Sequence, residues 1–243
     1  MNILSIGNSF SEDATTYLHE LAKHSGKELI TANLFFPGCS LERHFRNYHA
    51  DKRDYNLQFN GVMSGFFFSI KEALLACSWD IITIQQASAY SFNIETYTPY
   101  LERLCEEIRR LCPKAKLLIH KTWMYEQAST QLARLTPFET PDEMYEAVSV
   151  AYAKAAKLVN ADGTIPSSDI MYRLSKSDIG AVHRDGYHAS YGLGRYAIAL
   201  TWLRYLTGAD VTANDFNATR EPLTEEQLET VKRIVNEIVP LGL

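Results

Sequence analysis

Apolar positions along the chain fall into short unbroken runs, separated by longer stretches with a helical period. Residues 3–6, 29–36, 81–85 and 116–122 are continuous apolar segments, without polar alternation. A strand buried on both faces reads this way, as in a parallel sheet covered by helices. A weaker fifth strand is expected at residues 157–161. Between the runs lie helical patterns. Residues 13–24 place Leu18, Leu21 and Ala22 on one face, with Gly26 just beyond the end. Residues 68–77 and 96–112 follow, the second stopped by Pro113. Residues 141–157 begin with Thr140 as N-cap and Pro141 at the first helical position. Residues 190–206 end at Gly208, and residues 224–239 open on a T-E-E-Q capping box. This alternation predicts an α/β fold: a three-layer α/β/α sandwich around a mostly parallel five-stranded sheet, in a single domain over residues 1–243.

Two connections are long. Residues 37–65 are polar and aromatic, rich in His, Arg, Tyr and Asn, and residues 125–139 are similar. Both follow strands, so both are expected at the carboxyl end of the sheet, where open α/β sheets bind ligands.

Composition narrows the class. The 243 residues are 46% apolar and 12% aromatic, enough for one full core. The formal charge is −5 with both signs mixed along the chain, and no basic block appears, which argues against a nucleic-acid partner. Cys39, Cys77, Cys105 and Cys112 form no C-x-x-C pair and no zinc spacing, so free thiols in a reducing compartment are expected. The first strand starts at Asn2, with no charged leader region, no cleavage site and no apolar run near the ~20 residues of a membrane span. The expectation is a cytoplasmic protein without a membrane partner. The sequence leaves a homo-oligomer open.

The chemistry lies at the two ends. The first strand runs into I-G-N-S-F-S, which sets Ser9 at the carboxyl edge of the sheet, near the positive end of a helix. Two readings are open: Ser9 or Ser11 caps that helix, or Ser9 is a nucleophile. Asp13, a stronger capping group, stands at the predicted helix start and weakens the first. A nucleophilic serine needs a base and an orienting carboxylate. Late in the chain, V-H-R-D-G-Y-H places Asp185 and His188 three apart on a short loop. Alone, that pair also reads as a local surface hydrogen bond.

Together the two segments resemble the SGNH (GDSL-type) hydrolase superfamily. Gly7-Asn8-Ser9 stands where that family carries G-D-S, and Asp185-Gly-Tyr-His188 stands as its D-x-x-H. The chain is also similar to a bacterial branch long described only as a domain of unknown function, with I-G-N-S-F-S near the start and R-D-G-Y-H near the end. The resemblance implies a flavodoxin-like fold and a triad: Ser9 as nucleophile, His188 as base and then acid, Asp185 as orienter. It implies an oxyanion hole from the backbone N–H groups of Ser9 and of Gly38, in F-P-G-C-S. One block departs. Where the family carries G-x-N-D, this chain has D-I-I-T-I-Q-Q-A-S. Gln85 and Gln86 are the available carboxamide donors, and related carbohydrate acetylesterases favour Gln85. Both also read as ordinary strand-end residues.

Other motifs carry less. Gly192-Leu-Gly194-Arg-Tyr-Ala197 matches a dinucleotide fingerprint but follows a polar loop in place of a strand. His183, Asp185 and His188 could begin a metal set, but no further ligand cluster accompanies them. Acyl transfer through a serine needs neither metal nor organic cofactor, and none is expected. Arg43, His44, Trp123 and Tyr125 in the long connections suit a sugar ring better than an acyl chain, although Trp123 also reads as core packing. The function expected is a carboxylic ester hydrolase, an O-deacetylase of carbohydrate or glycoconjugate. The alternatives are a lipase- or thioesterase-type SGNH hydrolase and an inactive carbohydrate-binding protein on the same scaffold.

Overall fold

The apolar runs at residues 3–6, 29–36, 81–85 and 116–122 form the centre of one sheet. The computed structural model describes residues 1–240. In chain order the elements are β1 (Asn2–Gly7), α1 (Ser9–Thr15), α2 (Leu18–His24), β2 (Ile30–Phe35), α3 (Leu41–His49), β3 (Tyr55–Phe59), β4 (Val62–Phe68), α4 (Ile70–Leu75) and β5 (Ile81–Ile84). Then come α5 (Tyr100–Leu111), β6 (Lys116–His120), α6 (Thr130–Leu135), α7 (Pro141–Leu158), β7 (Gly163–Ile165), α8 (Ser167–Ser175), α9 (Leu193–Thr207) and α10 (Glu225–Ile238). The strands order as β4-β3-β2-β1-β5-β6-β7, and all run in one direction except β3, which is antiparallel to both its neighbours.

The crossovers from β1 to β2 and from β5 through β6 to β7 step outward in opposite directions. Right-handed connections then place their helices on opposite faces. On one side α1, α2, α8 and α10 pack around α9; on the other, α3, α4 and α5 pack together and α7 lies on β6 and β7. Ile3, Leu4 and Ile6 in β1, with Ile81, Ile82 and Ile84 in β5, are at most 2% exposed, which is why these strands read as apolar runs, interrupted only by the equally buried Ser5 and Thr83. Helix α9 is buried all round except at Arg204 and Thr207.

The sheet has seven strands where five are expected. Two of them, β3 and β4, form a hairpin inside the connection at residues 37–65, which also holds α3. Its turn is Asn60-Gly61, both at positive φ (47° and 83°), the conformation of a two-residue hairpin turn. The weak strand expected at 157–161 is corrected: Lys157 and Leu158 finish α7, and the edge strand is Gly163–Ile165. The helix expected at 13–24 begins earlier and is two helices. Thr15 and Thr16 bond their hydroxyls back to the carbonyls of Ser11 and Glu12, at 2.8 and 2.7 Å, which loosens the helical ladder where the chain turns into α2. The remaining helices shift by a few residues. Ser69 and Glu72 form a capping box that starts α4 at Ile70, and a 3₁₀ turn at Ile94–Thr96 precedes α5. Helix α8 is not foreseen by the pattern.

The hairpin docks against the α1–α2 bend at Gly61. A Cβ there would stand 2.0 Å from the Thr16 carbonyl oxygen. Gly61→Ala therefore combines backbone strain with a steric conflict and is expected to cost about 1–3 kcal/mol. A lower urea midpoint at unchanged m-value is the signature to measure.

Candidate active site

Strand β1 ends where Gly7 lets helix α1 come close. A Cβ on Gly7 would lie 2.4 Å from Ser11 Oγ, so only glycine allows this turn. Asn8 is extended and caps α1, its Oδ1 accepting from the Phe10 N–H at 3.0 Å. The cap is thus Asn8; Ser9, Ser11 and Asp13 are all inside the helix. Ser11 is buried, its hydroxyl hydrogen-bonded to the Asn8 carbonyl and to Asn33 Oδ1, each at 2.8 Å. Ser9, at the first helical position, keeps its hydroxyl free of capping.

That hydroxyl meets His188. The Ser9 Oγ–H donates to His188 Nε2 at 2.8 Å, and His188 Nδ1–H donates to Asp185 Oδ2 at 2.7 Å. The acceptor-only carboxylate fixes the proton on Nδ1 and leaves Nε2 as the acceptor. Asp185 Oδ1 takes the backbone N–H groups of His188 and Tyr187 at 2.8 and 3.3 Å. Partial burial pushes the Asp185 carboxyl up, but the hydrogen bonds from His188 and Tyr187 outweigh it and hold it below its ordinary value.

The loop carrying Asp185 and His188 is tied to the body at several points. Asp13, fully buried, accepts Arg184 Nη1 on both oxygens at 2.9 and 3.0 Å. It also accepts Arg195 Nε at 2.8 Å and the Ala189 N–H at 3.0 Å. Arg184, Arg195 and Arg220 pack against the ring of Tyr191, 3.9–4.9 Å from its centroid. Trp123 donates Nε1–H to the Tyr187 carbonyl at 2.8 Å and stacks on Phe10, centroids 4.3 Å apart. His183 faces the Met124 carbonyl at 3.1 Å and Glu126 at 3.3 Å, and the Glu126 N–H donates to the Gly186 carbonyl at 2.8 Å.

Ser9 and His188 open onto a cavity of about 450 Å³. Its walls include Gly38, Ser88, Tyr90, Tyr125, Arg134 and Tyr187. The Gly38 residue expected at the oxyanion hole therefore lies beside Ser9. Tyr125 is also brought there; its hydroxyl donates to Ser88 Oγ at 2.8 Å, and burial pushes its pKa up to about 12.

Five expected residues are not brought to this cavity. Gln85 is buried, donating Nε2–H to Asn8 Oδ1 at 2.9 Å and facing His120 Nδ1 with Oε1 at 2.6 Å. Gln86 is saturated: Oε1 accepts the Leu41 and Ala87 N–H groups, and Nε2 donates to Thr96. Both carboxamides serve buried backbone and side-chain groups, so neither points a donor at Ser9. Trp123 is fully buried behind the loop. His44 is buried against Tyr55 and Cys39, where burial alone drives its pKa down to about 3. Arg43 sits on the outer side of α3, bonded to Asn47 and lying over Phe36. Among the described residues no group of three His, Cys, Asp or Glu side chains converges as a metal site. Nor is any described helix long and apolar enough to cross a membrane.

Sequence reading misses Tyr90, Arg134 and the Asp13 clamp. Arg134 lies in the long connection at residues 125–139 without being singled out there, and Tyr90 lies in an unflagged stretch between β5 and α5. Asp13 reads as a cap by position, and only the fold brings two arginines from beyond residue 180 to it.

Removing the Asp13 carboxylate strands two buried or half-buried guanidinium groups. Asp13→Ala is expected to cost about 3–5 kcal/mol of stability, read from denaturant unfolding. Asp185 contributes differently with pH. Its folded-state pKa is depressed, so its contribution is present above the unfolded value, ~3.9, and is lost as pH falls through the lower folded value. The stability gap between wild type and Asp185→Asn should hold from neutral pH down to that range and close below it, measured by unfolding at a series of pH values.

The comparisons agree with this architecture. A family described as a domain of unknown function (DUF4886) matches residues 2–232. A crystal structure of a DUF4886 family protein from Bacteroides uniformis is 33% identical, with 98% of this chain and 93% of that one covered, at TM-score 0.89. A protein from Slackia heliotrinireducens, provisionally called an SGNH hydrolase, is 23% identical over 84% of this chain and 97% of its own, at TM-score 0.61. An acetylxylan esterase from Geobacillus stearothermophilus is 12% identical over 92% of this chain and 96% of its own, at TM-score 0.55. The latter two share the fold. No curated protein matches the chain. The match along nearly the whole length, and the relative one-third identical to it, place this chain in the DUF4886 family, on the fold of the SGNH hydrolases.

Proposed function

We propose that this protein is a serine esterase that removes short acyl groups, acetyl above all, from a carbohydrate or glycoconjugate. The observation that carries this reading is the hydrogen-bonded line from Ser9 through His188 to Asp185, at 2.8 and 2.7 Å, opening onto a cavity. In this reading Ser9 Oγ attacks the ester carbonyl as His188 Nε2 takes its proton. Asp185 stabilises the imidazolium that results and keeps its orientation. The tetrahedral oxyanion is held by the N–H groups of Ser9 and Gly38, neither of which is used by another described residue. His188 then protonates the leaving alcohol, and water repeats the cycle on the acyl-enzyme.

The cavity supports a polar substrate. Tyr90 and Tyr187 line it with aromatic rings, and Gln131 and Arg134 add side-chain donors. Among the described residues no carboxylate lines it. The shared fold with an acetylxylan esterase is consistent with this substrate class.

Turnover of 4-nitrophenyl acetate and of acetylated sugars by wild type and Ser9→Ala tests the proposal. Loss of about 10⁴-fold or more in kcat is expected for Ser9→Ala. Equal rates would exclude Ser9 as nucleophile. A preference for octanoyl over acetyl esters would point instead to a lipid substrate.

A further inference from the structure

Behind the Ser9 turn runs a chain of buried polar groups that ends on an imidazole. His120, at the end of β6, is fully buried with its ring edge-on to Trp202, centroids 4.9 Å apart. Its Nδ1 lies 2.6 Å from Gln85 Oε1. Gln85 Nε2 lies 2.9 Å from Asn8 Oδ1, and Asn8 Nδ2 lies 3.1 Å from the Cys39 carbonyl.

The polarity of this chain is set by its backbone ends. The Phe10 N–H can only donate, so the Asn8 atom facing it is the oxygen. The Cys39 carbonyl can only accept, so the other Asn8 atom is the nitrogen. Gln85 must then present its NH₂ to Asn8 and its oxygen to His120. His120 must in turn carry its proton on Nδ1. Its Nε2 has no hydrogen-bond partner among the described residues, an unpaired buried nitrogen that an apolar side chain of similar size would avoid. Burial drives the ring pKa down to about 3, so it stays neutral at any working pH.

Asn8 joins the two backbone segments whose N–H groups are assigned to the oxyanion. It precedes Ser9, and its Nδ2 holds the carbonyl of the residue that follows Gly38. The relay therefore sets the spacing of those two N–H groups. We propose that His120 is a positioning residue for the oxyanion-binding pair, acting through Gln85 and Asn8. This rests on the esterase reading above.

The test compares His120→Leu, His120→Asn and His120→Gln with wild type on 4-nitrophenyl acetate, with thermal unfolding as a check on the fold. An Asn side chain can put an N–H near the place of Nδ1; a Gln side chain, closer to His in volume, carries its N–H nearer the place of Nε2. His120→Leu and His120→Gln are expected to lose between about 10- and 100-fold in kcat at little-changed KM, with His120→Asn recovering most of it. Folded Leu or Gln variants with wild-type kcat would overturn the proposal, as would equal kcat for Asn and Gln. Nitrogen NMR of the wild type needs no variant: a His120 proton on Nδ1 is expected, and one on Nε2 would overturn the relay. A wild type without esterase activity, or a fully active Ser9→Ala, would instead overturn the esterase reading and leave the NMR result standing.

Discussion

A single buried carboxylate holds the two ends of this chain together. Asp13 has no exposure to solvent, and a lone charge there would be prohibitively costly. It is satisfied by Arg184, Arg195 and the Ala189 N–H, all from the last third of the sequence. Removing the carboxylate itself would take the shared partner from both guanidinium groups at once. Helix α1, which begins at Ser9, and the loop that bears His188 are therefore fixed to each other by a network separate from their own 2.8 Å hydrogen bond. The position of the imidazole does not depend on the serine it faces.

The same economy governs the polar groups beneath the site. Asn8 makes three hydrogen bonds with one side chain: it caps α1, takes the Gln85 NH₂ and holds the Cys39 carbonyl. Gln86 binds two backbone N–H groups and both acceptors of Thr96. Two adjacent glutamines at one strand end are thus structural acceptors and donors for neighbouring turns. Polar networks of this kind are stable only when nearly every member is paired, so they tolerate few substitutions.

The sheet centre is legible in the sequence because burial on both faces keeps β1, β2, β5 and β6 largely apolar, with only small or neutral polar residues such as Ser5, Thr31, Asn33 and Thr83 buried among them. The β3–β4 hairpin is not, since its residues Asn56, Gln58, Ser64 and Gly65 look like loop and only Asn60-Gly61 announces a turn. Short β7 hides behind the last turn of α7, where Val159 and Ala161 mimic a strand. At the site, local spacing reveals Asp185 and His188, because a carboxylate three residues before an imidazole can reach it. Tertiary roles stay hidden. Trp123, an aromatic at a strand end, is a brace for the Tyr187 carbonyl, and Gln85 faces inward to His120. Nothing in either residue's neighbours along the chain separates these roles from contact with a ligand.

Ser9 and His188 stand 179 positions apart. At ~5–20 residues per second of synthesis, the serine emerges roughly 10–35 s before its partner exists. During that interval β2 through β7 can all be made, while the Ser9 hydroxyl has no imidazole to meet. A chain stopped or cut ahead of Asp185 would keep every strand of the sheet and lack both His188 and its carboxylate partner. The hydrogen-bonded line from Ser9 to Asp185 therefore forms only after the last third of the chain has been made: that third supplies few of the cavity's walls but completes the line.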